Sequence, residues 1–328
     1  MARNAATERV WVFDSNRESE VGRLLEAYRS TRPLRAGSLI VTVFGDAIAP
    51  HGGCVWLGSL IHLLAPFGLS QRLVRTTVFR LVREEWLEAR QLGRRSYYRL
   101  TATGRQRIAT AQPRIYAPVE EAWDGFWDLV MLTATTLDAD SRRHVTRELQ
   151  WQGFGVVSTG VLAHPAGDLT AVRQILDGAG VLDRSVILRA RCEERECGAL
   201  RGLTASCWDL PGLEALYHRF LERFGPIREE LSGARHLEPE RCFLVRTLLI
   251  HEFRRVLLRD PRLPAELLPP DWIGTAARLL CRDLYQLVQE PAERHLMAVL
   301  ETAYGALPQA ESGYFRRFGG LGTQGRAG

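Results

Sequence analysis

The stretch from Ser70 to Leu100 constrains the fold more than any other part of this chain. Ser70 is a good N-cap ahead of a helix over 71–85. Val74, Val78, Leu81 and Val82 recur at i, i+4, i+7 and i+8, which places them on one helix face. Arg72, Arg75, Thr76 and Arg80 fall elsewhere on it. Two short aromatic or alternating runs follow, Trp86–Arg90 and Ser96–Leu100. They flank the turn residues Leu92-Gly93-Arg94-Arg95 and read as a β-hairpin with arginine at its tip.

Upstream, Ser38–Ile48 is apolar and β-branched, so periodicity leaves helix and strand both open. Gly52-Gly53 ends it. Val55–Leu64 is a second apolar segment of helical length, closed by Pro66 and Gly68. Thr103 is placed to cap a last short helix reaching Ala111. Helix, helix, basic helix and hairpin is the order of a winged helix-turn-helix, whose third helix enters the major groove while the wing follows phosphates. The competing reading is a small α+β subdomain whose arginines merely face water.

Charge distribution weighs on that choice. The chain is +5 overall, but residues 39–118 hold eleven Arg against four acids, a local +7, while residues 119–328 are −4. A local basic excess is the footprint of a polyanion-binding module. There is no lysine, a bias that fits genomic base composition, so any phosphate must be held by guanidinium forks or backbone amides. The expected DNA-reading set is Arg75, with Arg72, Thr76 and Arg80 beside it. Arg94 and Arg95 at the wing tip are expected on phosphates, and Tyr97 is included from the hairpin.

With 328 residues, 46% hydrophobic and 25% charged, the chain has the composition of a globular protein of two to three domains. No apolar run reaches the roughly 18 residues that a bilayer requires. The N-terminus lacks signal-peptide order, so a cytoplasmic protein with no membrane partner is expected. The fold class expected is α+β. Residues 1–34 form an N-terminal extension and 35–112 the winged helix. Residues 119–195 read β-α-β-β-α-β, the ferredoxin-like order, with strands at Phe126–Leu132, Gly155–Ser158, Gly160–Ala163 and Arg184–Arg189. Residues 200–310 form a mostly helical domain with helices at Leu213–Phe224, Pro239–Arg259, Trp272–Val288 and Ala292–Tyr304. Residues 311–328 are a Gly-containing flexible tail.

Catalytic and metal signatures are missing. The six cysteines include no Cys-x-x-Cys pair, and Cys192 and Cys197 enclose only charged residues, so free thiols are expected. His251-Glu252-Phe253-Arg254-Arg255 lacks the second histidine of a zincin. The helix carrying it is apolar on nearly every side, with His251, Glu252 and Arg255 interleaved among leucines. Two readings stand: an internal salt-bridge cluster, or a contact for an anionic or thioester ligand.

Several long motifs resemble the PaaX family of transcriptional regulators. They include Phe44-Gly45-Asp46, Trp56-Leu57-Gly58-Ser59-Leu60, Leu64-Ala65-Pro66-Phe67-Gly68 and Gly93–Leu100. Others are Trp127–Gly153, Leu248–Arg255 and the pairs Asp260-Pro261, Leu263-Pro264 and Asp271-Trp272. The resemblance covers about residues 35–305. It implies a homodimeric, non-enzymatic repressor of phenylacetate catabolism genes, with a middle domain similar to a CRISPR-associated small nuclease. It also implies release from a double-stranded operator by an aryl-acyl-CoA such as phenylacetyl-CoA, with no resident cofactor. Where related nucleases carry an Asp after the first strand, this chain has Thr133-Ala134-Thr135, with only Asp138 and Asp140 nearby. For the effector, His251, Arg254 and Arg255 offer cations, and Trp208 and Trp272 an aromatic slot. The alternative class is an enzyme, either a metal-dependent nuclease or an acyl-CoA hydrolase using His251 and Glu252.

Overall fold

The structure is a computed structural model that describes residues 19–117, 123–132, 138–191 and 198–321. Chain order runs α1 (Glu20–Ser30), α2 (Ala36–Val43), β1 (Cys54–Trp56), α3 (Leu57–Leu64), α4 (Gln71–Arg83), β2 (Leu87–Leu92), β3 (Arg95–Leu100) and α5 (Ala102–Tyr116). It continues with β4 (Phe126–Leu132), α6 (Ala139–Trp151), β5 (Gly155–Ser158), β6 (Val161–His164), α7 (Leu169–Gly178) and β7 (Ser185–Arg191). The last elements are α8 (Gly198–Cys207), α9 (Leu210–Ser232), α10 (Pro239–Leu257), α11 (Ile273–Val299), β8 (Glu301–Thr302) and β9 (Gly305–Ala306). Helix and sheet are mixed, as α+β requires. Two compact units emerge: Met1–Pro118 with Phe220–Arg254 and Ala277–Gly328, and Val119–Arg219 with Arg255–Ala276.

In the first unit, Ser38–Ile48 is helical, α2 running into a π-helical turn at Phe44–Ile48. The segment read as one helix over 55–64 begins instead as a strand. Cys54, Val55 and Trp56 pair with Arg99, Tyr98 and Tyr97, so the hairpin becomes a three-stranded sheet in the order β1-β3-β2. Local apolar pattern could not show this, because the partner that satisfies the strand's backbone lies some forty residues away. Thr101, not Thr103, caps α5: its hydroxyl accepts from Gly104 N at 2.8 Å. The helix continues through Pro113, with Ile115 and Tyr116 buried. Pro291 likewise interrupts nothing: Leu284, Tyr285, Val288, Ala292 and Leu296 are fully buried along a single α11.

The Gly-containing tail is also not all loose. Tyr314–Gly319 is helical but kinked, its helical backbone broken at Arg317 and Phe318, and Tyr314, Arg317 and Phe318 are buried. The Phe318 ring stands edge-on to Tyr116 at 5.4 Å. Residues 322–328 lie outside the described residues, as do 1–18.

In the second unit, the strands and helices follow the β-α-β-β-α-β order, and the antiparallel sheet runs β5-β6-β4-β7. Val130, Leu132, Val145, Leu149, Phe154, Leu162, Val172 and Leu176 form its core. Asp138 serves this fold locally. It caps α6 by accepting from Asp140 N and Ser141 N, and those bonds with the Ser141 hydroxyl hold its carboxyl below the usual range. Thr133-Ala134-Thr135, Cys192 and Cys197 lie outside the described residues. Helix α8 had no counterpart in the sequence reading.

Candidate nucleic-acid interface

Helix α4 is anchored from below and charged above. The Ser70 hydroxyl accepts from Leu73 N at 3.2 Å. Val74, Thr77, Val78 and Leu81 are buried, and the opposite face exposes Arg72, Arg75, Thr76, Arg80 and Arg83. Among the described residues, no carboxylate pairs with Arg72, Arg75 or Arg94, whereas Arg80 Nε lies 3.5 Å from Glu84. The Thr76 hydroxyl donates to Arg72 O at 3.0 Å, so its proton is committed to the helix and only its lone pairs face outward.

The sequence reading passed over Phe79. It is 64% exposed, and at 100° per residue it sits in the middle of the Arg72, Arg75, Thr76 and Arg83 cluster. The same helical arithmetic that assigned Arg75 finds it, as it finds Arg83.

The hairpin turns at Gly93-Arg94, Gly93 having φ +60°, a value that an L side chain adopts only with strain. Arg94 stands exposed at the tip. Arg95 differs: its Nη1 lies 2.8 Å from Glu301 Oε2, and its guanidinium stacks 4.2 Å from the Trp56 ring centroid. Tyr97 is buried across from Trp56, so its ring belongs to the sheet rather than to the surface. Four of the five outward arginines expected at the interface therefore face solvent without an off-helix carboxylate, and Arg95 is held by one.

The residues expected at a ligand fall into two groups. His251 and Arg254 converge on Thr42 in the first unit. Arg254 Nη1 donates to Thr42 Oγ1 at 2.6 Å, His251 Nδ1 lies 3.3 Å from the same oxygen, and its ring stands edge-on to Tyr28. Trp208 and Trp272 belong to the second unit, where each has its own packing. Trp208 Nε1 donates to Gly153 O at 2.8 Å, and Trp272 stands edge-on to Tyr217 at 6.0 Å. Arg255 is half-buried and also belongs to the second unit. Glu252 lies 3.6 Å from Arg223 Nη1.

The first unit also holds a buried ionic cluster that no motif announced. Asp46 accepts from Tyr116 and Tyr285 hydroxyls at 2.6 and 3.0 Å, from Arg246 Nε at 2.9 Å and from Arg317 Nη1 at 3.1 Å. Arg246 also pairs with Glu293, which His51 Nε2 contacts at 2.8 Å. Two buried guanidiniums thus meet two carboxylates, the condition under which charge is tolerated inside a protein. Burial alone would raise the Glu293 carboxyl, but Arg246 and the His51 hydrogen bond outweigh it and hold it at about 2. The only signal in the sequence was Phe44-Gly45-Asp46, an acid inside an apolar run.

Comparison with known proteins places the chain. Residues 35–104 match a family profile described as PaaX-like protein, 120–199 the PaaX protein central Cas2-like domain, and 208–298 the PaaX-like protein C-terminal domain. The Transcriptional repressor PaaX of Escherichia coli strain K12 is 40% identical over 294 residues, 89% of this chain and 92% of the relative. The chain belongs to the PaaX family. Among solved structures, the uncharacterized protein Rv0674 from Mycobacterium tuberculosis is similar at a TM-score of 0.53 and 26% identity, covering 80% of this chain and 98% of that one. The PaaX profile over 35–104 spans α4 and the hairpin, and the Cas2-like profile spans the β4–β7 sheet. No helix among the described residues is long and apolar enough to cross a membrane.

Proposed function

We propose that this PaaX-family protein is a cytoplasmic, DNA-binding transcriptional repressor, without catalytic activity, acting on aromatic (phenylacetate) catabolism genes. The observation that carries the reading is the outward face of α4, where Arg72 and Arg75 stand free of carboxylates beside a hairpin tipped by Arg94. In this reading α2, α3 and α4 with the β1-β3-β2 sheet form a winged helix-turn-helix, α4 enters the major groove and the hairpin follows the backbone. Arg75 reads a guanine edge, and Arg94 holds phosphate. The β4–β7 unit is ferredoxin-like and mediates a homodimer. Support for that comes from β7, an edge strand that leaves Val186 and Leu188 nearly half exposed. Two half-sites then mirror the protein's two-fold axis.

The effector is an aryl-acyl-CoA such as phenylacetyl-CoA, which releases the operator. A gel-shift titration of the protein's own upstream DNA, with and without phenylacetyl-CoA, tests both halves. The expected result is a specific complex that the thioester dissolves while the thioester itself stays intact. Turnover of the thioester, or a complex no stronger than with random DNA, overturns the reading. Light scattering at micromolar concentration is expected to give the dimer mass.

A further inference from the structure

Arg254 sits in an unusual setting for a cation. It is largely buried, and burial pushes its guanidinium below the ordinary arginine value. The hydroxyl of Thr42 is its hydrogen-bond acceptor, and among the described residues no carboxylate stands within ion-pair distance. The nearest acid in the electrostatic sense, Asp46, is already claimed by Arg246 and Arg317. A desolvated cation of this kind gains most from an oxygen acceptor brought from outside.

Arg254 also lines a small cleft within the first unit, enclosing about 50 Å³. That is room for a few waters, so an aryl ring must widen the cleft as it enters, and a whole coenzyme A thioester does not fit. The walls are chiefly apolar and aromatic, with Ile108, Ile115, Ile250 and the rings of Trp86 and Tyr116. The polar part of the lining is Arg254, Arg107, Gln112, Thr42 and Asp46, whose carboxylate is already engaged by Arg246 and Arg317, and this mixture suits a flat ring carrying a carbonyl or carboxylate oxygen.

The cleft has a direct mechanical link to α4. Trp86 follows that helix by three residues, and its amide donates to Leu81 O at 2.9 Å. Between them lies Glu85 with φ +59°, a strained conformation for a residue with a side chain. From the other side, α5 grips the same turn: Arg107 stacks over the Trp86 ring at 5.0 Å and donates to Glu84 O at 3.1 Å. Gly104 approaches so closely that a Cβ there would lie 2.3 Å from Trp86 O. Whatever enters between α5 and α2 must press on the turn that sets the angle between helix and hairpin.

We infer that the cleft beside Arg254 receives the arylacyl group of the effector, its carbonyl or carboxylate oxygen accepting from the Arg254 guanidinium, and that Trp86 transmits its arrival to the DNA-reading helix. This deepens the proposed effector response and rests on it. The shared chemistry is an aryl ring with an acyl oxygen. The free acid and the thioester both offer it, and a thioester would leave its nucleotide portion outside.

The test is calorimetric titration of phenylacetate, phenylacetyl-CoA and coenzyme A into the whole protein, paired with DNA release by fluorescence anisotropy. Two variants probe the cleft. Ala111→Leu fills it from α5 with a strong helix former. Arg254→Met removes the cation, and Thr42 keeps its bond to Ser38 O at 2.9 Å, so no group is orphaned. Both variants are expected to bind the arylacyl ligand at least tenfold more weakly, and Arg254→Met, which leaves the cleft unfilled, to keep wild-type DNA affinity. Binding of phenylacetate alone would identify the free acid as sufficient, and binding of the thioester only would identify the conjugate; either supports the site. Wild-type ligand affinity in both variants, or coenzyme A alone competing as well as its thioester, overturns the cleft while leaving the repressor reading intact. A wild-type protein that binds neither arylacyl compound overturns the effector response and the cleft together.

Discussion

The outward face of α4 and the cluster around Asp46 are both built from arginine, since the chain has no other fixed cation, yet they do opposite things. On α4 the guanidiniums are exposed and exceed their carboxylates, so their charge is available to phosphate. Around Asp46, Arg246 and Arg317 are buried and are met by Asp46, Glu293 and three tyrosine hydroxyls within the same network. The partner count separates a binding arginine from a structural one. Composition, which counts every arginine alike, does not.

Removing Asp46 is the severest way to break this contrast. Asp46→Ala leaves two buried guanidiniums without their shared carboxylate, and a loss of about 3–5 kcal/mol is expected. Urea unfolding followed by circular dichroism measures it; a loss under 1 kcal/mol would mean that the cluster is not what holds the first unit.

The second prediction concerns pH. Glu293 falls from an ordinary 4.5 to about 2 in the folded protein. A depressed carboxyl contributes stability fully above the unfolded value and loses it as pH falls from about 4.5 toward 2. Wild-type urea midpoints are expected to drop across that window, and Glu293→Gln should flatten the drop while lowering stability at pH 7. Parallel curves for the two proteins would remove Glu293 from the account.

The α4 face sharpens the contrast from the other side. Arg75→Ala is expected to leave stability within about 0.5 kcal/mol. It should relax base preference by about 1–3 kcal/mol, read by competition between operator and point-substituted operators. Arg94→Ala is expected to have a smaller effect. It should weaken all DNA evenly and reduce the salt slope by about one unit. Arg95→Ala, already paired with Glu301, should change that slope less than Arg94→Ala does. Equal, sequence-independent losses from Arg75→Ala and Arg94→Ala would end the division between reading and holding.

What was legible in the sequence follows the range of the interactions. Helix α4 and its hairpin were readable because cap, period and turn are local. So were the alternating elements of the second unit, whose capping aspartates and apolar registers lie within each segment. Strand β1 was hidden because its partner is β3, and the run through Pro291 because buried side chains override a local breaker. Of the residues expected at a ligand, His251 and Arg254 meet at Thr42, while Trp208 and Trp272 pack within the second unit, because contacts between distant segments are not written in spacing. The Asp46 cluster was illegible because its members are scattered from residue 46 to residue 317 and no spacing rule joins them.

The last of those members sets a clock. Arg317 reaches Asp46 across 271 residues of chain. At synthesis rates of roughly 5–20 residues per second, the ribosome needs about 14–54 s after making Asp46 before the second guanidinium exists. The α4–hairpin segment is made within the first part of that interval, Asp46 lacks both cations until Arg246 is made 200 residues on, and it lacks the second until Arg317. A chain that terminates early never acquires it. Chains cut short before Arg317 therefore fold with one of the two guanidiniums that meet Asp46 missing.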